Sequence, residues 1–184
     1  MVSTKLMTAD ELERLPDDDN RYELVQGELT PMTPVNLRHH WITGNVYGPL
    51  QVYVAQRNLG VVGGEGGFVL ARDPDTVFAP DIAFVRADRW PHGDAEEHFG
   101  RFPPDLAVEV RSPSEPMRSL VAKARTYLDA GVRLVWLVDP ESRTVLVFAP
   151  DADPITLTEF ETQDWLDGGD VVPGFRLSVA DVFR

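Results

Sequence analysis

The pattern of apolar and polar positions is clearest from Pro104 to Pro140, where it predicts strand, loop, helix, strand. Between Asp105 and Arg111 the run is apolar apart from Glu109, and Arg133 to Asp139 is again strongly apolar. Strands buried on both faces show such continuous runs, and parallel neighbours need a crossover helix between them. The intervening segment supplies one. Met117, Leu120, Val121, Ala124 and Leu128 recur at helical spacing between Pro116 and Ala130, with Tyr127 at the margin of the face. Gly131 is placed to end the helix. Lys123 lies at the edge of the same face, one turn before Tyr127, and can reach toward the sheet or lie along the surface.

Elsewhere the periods are shorter. Thr8, with Glu11 three residues on, predicts a capping box opening a short helix that stops at Pro16. The run Asp17-Asp18-Asp19-Asn20 reads as a solvated turn, since it lacks the glycine and terminal Glu of a calcium loop. Arg21–Val25 and Glu28–Met32 flank Gln26-Gly27 as a β-hairpin. A helix is predicted from about Asn36 to Arg57, with Ile42, Val46, Leu50, Tyr53 and Val54 at helical spacing. Pro49 should kink or break it at the carbonyl of Asn45. Gly60 to Leu70 reads as one strand bent at its glycines, and Val77 to Val85 as another, with Pro80 at an edge or at the true strand start. Arg86 to Pro103 is a long polar connection. Arg143 to Pro150 should form a hairpin with the strand before it, followed by a strand at Ile155 to Phe160 and a turn-rich tail.

Length and composition narrow the class. The 184 residues suit one domain, 1–184, with no internal repeat or linker. No apolar run approaches the roughly 20 residues of a membrane span. The polar, acidic start is unlike a signal peptide, and cysteine is absent, which removes disulfides and thiolate metal sites. A cytoplasmic protein is the expectation. Seventeen basic against 30 acidic residues, a net charge of -13, argue against a general DNA-coating protein. A local patch can oppose that balance, so a nuclease stays open.

Glu109 and Asp81 are carboxylates set among apolar residues, and each is costly to bury without a partner. On neighbouring strands, such a pair can hold a hard divalent cation, which activates water and stabilises charge on a phosphate. A nearby lysine, Lys123, can orient that water or stabilise the developing charge. Two structural carboxylates with ion-pair partners would produce the same pattern. Glu23 and Glu28 can be solvent-facing strand residues, and His39 a capping or packing residue.

Larger blocks resolve more. Arg21-Tyr22-Glu23-Leu24-Val25-Gln26-Gly27-Glu28-Leu29, His39, Pro80-Asp81-Ile82, and Asp105 through Ser114 come in order. Lys123 with Tyr127 through Val132, Trp136 through Pro140 and Pro173-Gly174-Phe175 follow. Together they resemble the Uma2 family, also called DUF820, of restriction-endonuclease-like proteins in the PD-(D/E)xK nuclease superfamily. The resemblance implies an α/β restriction-endonuclease-like core: a mixed, bent central sheet flanked by helices, with an N-terminal hairpin and extra strands. It implies a metal-dependent endonuclease acting on DNA, with Asp81, Glu109 and Lys123 catalytic. Mg²⁺ or Mn²⁺ would sit on Asp81, Glu109 and the Val110 backbone carbonyl. Glu23, Glu28, His39 and Arg111 are supporting candidates, Arg111 binding phosphate or pairing with a carboxylate. A homodimer is expected, and an unidentified protein partner is allowed for. The alternatives are a degenerate nuclease fold serving binding or dimerisation, and hydrolysis of another phosphate ester by the same residues.

Overall fold

The computed structural model describes residues 6–16, 20–32, 34–91, 97–150 and 156–184, with 156–160 by backbone alone. The acidic run at 17–19 and the expected strand start at Ile155 lie outside them.

Thr8 caps the short helix α1 (Ala9–Glu13) through the predicted box: its Oγ1 accepts from the Glu11 N–H, and the Glu11 carboxylate accepts from the Thr8 N–H at 2.9 Å. The hairpin β1 (Arg21–Val25) and β2 (Glu28–Met32) turns at Gln26 and Gly27, both with positive φ, as a tight turn matched to strand twist requires. The long helix α2 (Leu37–Arg57) is capped by the Asn36 side chain on the His39 N–H. It runs unbroken through Pro49, contrary to one outcome of the proline expectation. Pro49 is exposed, so water can meet the carbonyl that loses its partner.

Two predicted strands prove to be four. Gly60 to Leu70 divides into β3 (Gly60–Gly63) and β4 (Phe68–Ala71), and Val77 to Val85 into β5 (Thr76–Phe78) and β6 (Ile82–Arg86). β4 and β5 belong to a four-stranded sheet, order β2-β1-β5-β4, whereas β3 and β6 belong to a six-stranded one. The two crossings lie side by side. The Glu65 N–H donates to the Pro80 carbonyl at 2.9 Å, and a Cβ at Gly64 would come within 2.8 Å of the Asp81 carbonyl oxygen. Glycine permits that approach, and Pro80, lacking an N–H, ends the ladder. Asp81 therefore occupies a corner between two sheets, just before β6 begins, and not the middle of a strand.

The six-stranded sheet adds β7 (Leu106–Val110), β8 (Leu134–Asp139), β9 (Thr144–Ala149) and β10 (Thr156–Phe160), in the order β10-β9-β8-β7-β6-β3. Only β7 and β8 run parallel among these pairs, joined by the crossover helix α3 (Met117–Asp129). Leu106, Val108 and Val110 pack toward Ile42, Val46, Leu50 and Val54 of α2. Ala107 faces α3, whose Leu120, Ala124 and Tyr127 are buried with Val135 and Leu137. Each fully buried Leu, Ile or Val among these contributes about 1.5–3 kcal/mol. Tyr127, predicted at the margin, is fully buried, because its ring packs between the sheet and Phe78, which it meets edge-on; the helix ends in a two-bond cap, Val132 N–H to the Tyr127 carbonyl and Gly131 N–H to Leu128. A small ribbon, β11 (Trp165–Asp167) with β12 (Arg176–Ser178), and the turn of helix α4 (Val179–Val182) close the α2 side. No helix among the described residues is long and apolar enough to cross a membrane.

Candidate active site

Alternation along β7 decides the site. Val108 and Val110 point to α2, so Glu109 points to α3, into space shared with β1 of the other sheet. Its Oε1 accepts the Tyr127 hydroxyl at 2.7 Å and lies 2.9 Å from the Lys123 Nζ. Lys123 also donates to Glu23 Oε1 at 2.8 Å, and that oxygen accepts the Ala79 N–H at 2.8 Å. Glu23 thus ties β1 to both α3 and the corner that carries Asp81. At the corner, Asp81 Oδ2 accepts the Val110 N–H at 2.7 Å and lies 3.2 Å from His39 Nε2. The Phe78 ring lies edge-on to Tyr127 and 5.0 Å below the Lys123 ammonium.

The electrostatics follow from this packing. Burial pushes the Glu109 carboxyl up to about 8, against the attraction of Lys123 and with the repulsion of Asp81 and Glu23. Burial opposes the charge of Lys123, but Glu109 and Glu23 outweigh it and raise its pKa. Burial also opposes protonation of His39, yet Asp81 and the Val110 backbone raise its pKa, as a carbonyl acceptor does. Glu115 is raised by burial and by Glu23 and Asp81.

Asp81, Glu109, Lys123, Glu23 and His39 are therefore brought together. Two candidates are not. Glu28 shares the face of Glu23, since it pairs with Val25, but it sits at the turn end of the hairpin and is exposed. Arg111 follows the last residue of β7. Its guanidinium turns to Asp139 and Glu141, each at 3.0 Å, and to the Glu115 carbonyl, not to Glu109. Tyr127 and Glu115 were not singled out by sequence. The signal for Tyr127 was its spacing of one turn from Lys123.

Asp81 and Glu109 are hard oxygen donors, and the Val110 carbonyl is a third, a set that suits Mg²⁺ or Mn²⁺ with waters completing the shell. Among the described residues, no three His, Cys, Asp or Glu side chains form a ready-made cation site, so protein side chains alone would not complete one.

The fold is mixed α/β, with an acid–lysine cluster at the junction of two sheets. The chain belongs to the Uma2 family, whose model, described as "Putative restriction endonuclease", matches residues 9–180. Its fold is similar to that of a crystallised "putative nuclease belonging to DUF820" from Anabaena variabilis ATCC 29413. The two share 21% identity over 96% of this chain and 97% of that one, with a TM-score of 0.83. No curated protein matches the chain.

Proposed function

We propose that this protein is a cation-dependent endonuclease that hydrolyses phosphodiester bonds of DNA. The observation that carries this is the meeting of Asp81, Glu109 and Lys123, far apart in sequence, around the end of β7, with Lys123 Nζ 2.9 Å from Glu109. Mg²⁺ or Mn²⁺, bound by Asp81, Glu109 and the Val110 carbonyl, would supply an activated water and offset charge on the phosphate. The chain's own groups do the rest. Asp81 is held in place by the Val110 N–H, and Glu109 by Tyr127 and Lys123. Lys123, its charge secured by two carboxylates, presents a fixed cation to the negative charge that develops on phosphorus-bound oxygens. Glu23 positions Lys123. On this reading the protein works in the cytoplasm as a homodimer, one copy for each strand.

Supercoiled plasmid and single-stranded DNA should be cut with Mg²⁺ or Mn²⁺, and cutting should vanish with EDTA or in Asp81→Asn. A variant that cuts like wild type refutes the mechanism. A non-catalytic binding or dimerisation module is the rival reading, favoured by the net charge of -13 and by the two ion pairs that occupy Lys123. Calorimetric binding of Mn²⁺ that disappears in Asp81→Asn separates the two, since an inert scaffold needs no such site.

A further inference from the structure

Between the start of α2 and the β8–β9 turn lies a pocket of about 240 Å³, lined among others by Arg38, His39, Arg111, Asp139 and Glu141. His39 is a wall shared with the candidate active site, since its Nε2 lies 3.2 Å from Asp81. The pocket therefore adjoins the candidate active site across His39. Arg111 has two unequal partners there. Asp139 is buried and also accepts the Glu141 N–H at 3.0 Å and the Ser142 hydroxyl at 2.8 Å. Glu141 is 79% exposed, while Arg111 is 18% exposed. Asp139 is a permanent partner, whereas an exposed carboxylate gains little from its pair and is readily displaced. Arg38 reaches the same turn, donating to the Pro140 carbonyl. With Glu141 in place, the two arginines and two carboxylates balance. With Glu141 displaced, one positive charge remains, which matches the single negative charge of a phosphodiester. The guanidinium fork suits phosphate as well as carboxylate oxygens.

We propose that this pocket is a subsite for a non-scissile backbone phosphate of the substrate strand, bound by Arg111 and Arg38, and that Glu141 holds the phosphate's place until a strand arrives. The proposal rests on the nuclease reading, and its test is separable from it. Binding of a fluorescein-labelled duplex is followed by anisotropy on the full chain carrying Asp81→Asn, in Mg²⁺, across a salt series. Arg38→Gln should weaken binding alike for different sequences and lower the slope of log affinity on log salt by about one. That makes its penalty roughly threefold larger at about 50 mM than at about 200 mM salt. Glu141→Gln should tighten binding severalfold, and by more than Asp88→Asn, an exposed carboxylate near the opposite end of β6.

An unchanged slope in Arg38→Gln, or equal gains from Glu141→Gln and Asp88→Asn, overturns the subsite. Calorimetric binding of inorganic phosphate that Arg38→Gln abolishes, with duplex affinity unchanged, would assign the pocket to free phosphate and overturn it too. Cleavage by wild type alongside any of these failures leaves the nuclease reading standing. The expected binding effects without cleavage or Asp81-dependent metal binding would refute the nuclease reading and, with it, a substrate subsite, leaving a site for the backbone phosphate of a bound strand that is not cut.

Discussion

Removing one hydroxyl, in Tyr127→Phe, tests how Glu109 is held. The ring stays, with its edge-on contact to Phe78, and only the 2.7 Å bond to Glu109 Oε1 is lost. The Glu109 carboxyl is pushed from its ordinary 4.5 up to about 8, with burial the main cause. The folded protein therefore holds a proton that the unfolded chain has released across that window. Stability accordingly falls as pH rises from the lower value through the upper. Tyr127 is one of the influences that lower this pKa, so the variant pushes Glu109 higher still and loses more stability on the alkaline side. Near pH 6, where Glu109 is protonated in both proteins, the cost is that of a neutral hydrogen bond, about 1 kcal/mol. Near pH 9, where wild-type Glu109 is ionised, it becomes that of a bond to a charged group, about 1.5–3 kcal/mol. Each kcal/mol lowers the melting temperature by about 2–4 °C in a chain of this size. Urea denaturation in EDTA at the two pH values measures the difference. Equal losses at both, or a larger loss in acid, would refute the account of Glu109.

Lys123→Met leaves the buried Glu109 and the half-buried Glu23 without their cation and should cost about 3–5 kcal/mol, most at alkaline pH, by denaturant titration. A loss under about 1 kcal/mol would mean that the pair is solvated. Gly60→Ala should cost several kcal/mol, because its φ is +157° and the new Cβ would meet the Val85 carbonyl oxygen at 2.0 Å. A near-neutral result would show that β3 is free to shift. Thr8→Ala removes the capping box of α1 and should cost about 1 kcal/mol without changing cleavage. Sedimentation that shows only monomer at working concentration would refute the dimer.

Local order determined much of this protein. Leu120, Ala124 and Gly131 define α3 and its end, and Gln26-Gly27 defines the hairpin turn, because periodicity and backbone conformation are properties of neighbouring residues. The apolar run around Glu109 already states that a buried carboxylate needs a partner. The identity of that partner was only half legible: Lys123 carried the signal, while Tyr127 looked marginal, because its burial comes from packing against Phe78 and the sheet, which are distant in sequence. The tertiary structure alone decided the rest. Val77 to Val85 has one strand-like pattern but enters two sheets, since which neighbour a strand pairs with is settled by contacts distant in sequence. That division creates the corner at Asp81. It also brings Glu23, but not Glu28, to Lys123, because the two glutamates share a face yet stand at different distances from the turn. Arg111 faces Asp139 and Glu141 for the same reason: β8, laid parallel beside β7, ends where β7 ends and delivers its carboxylates there.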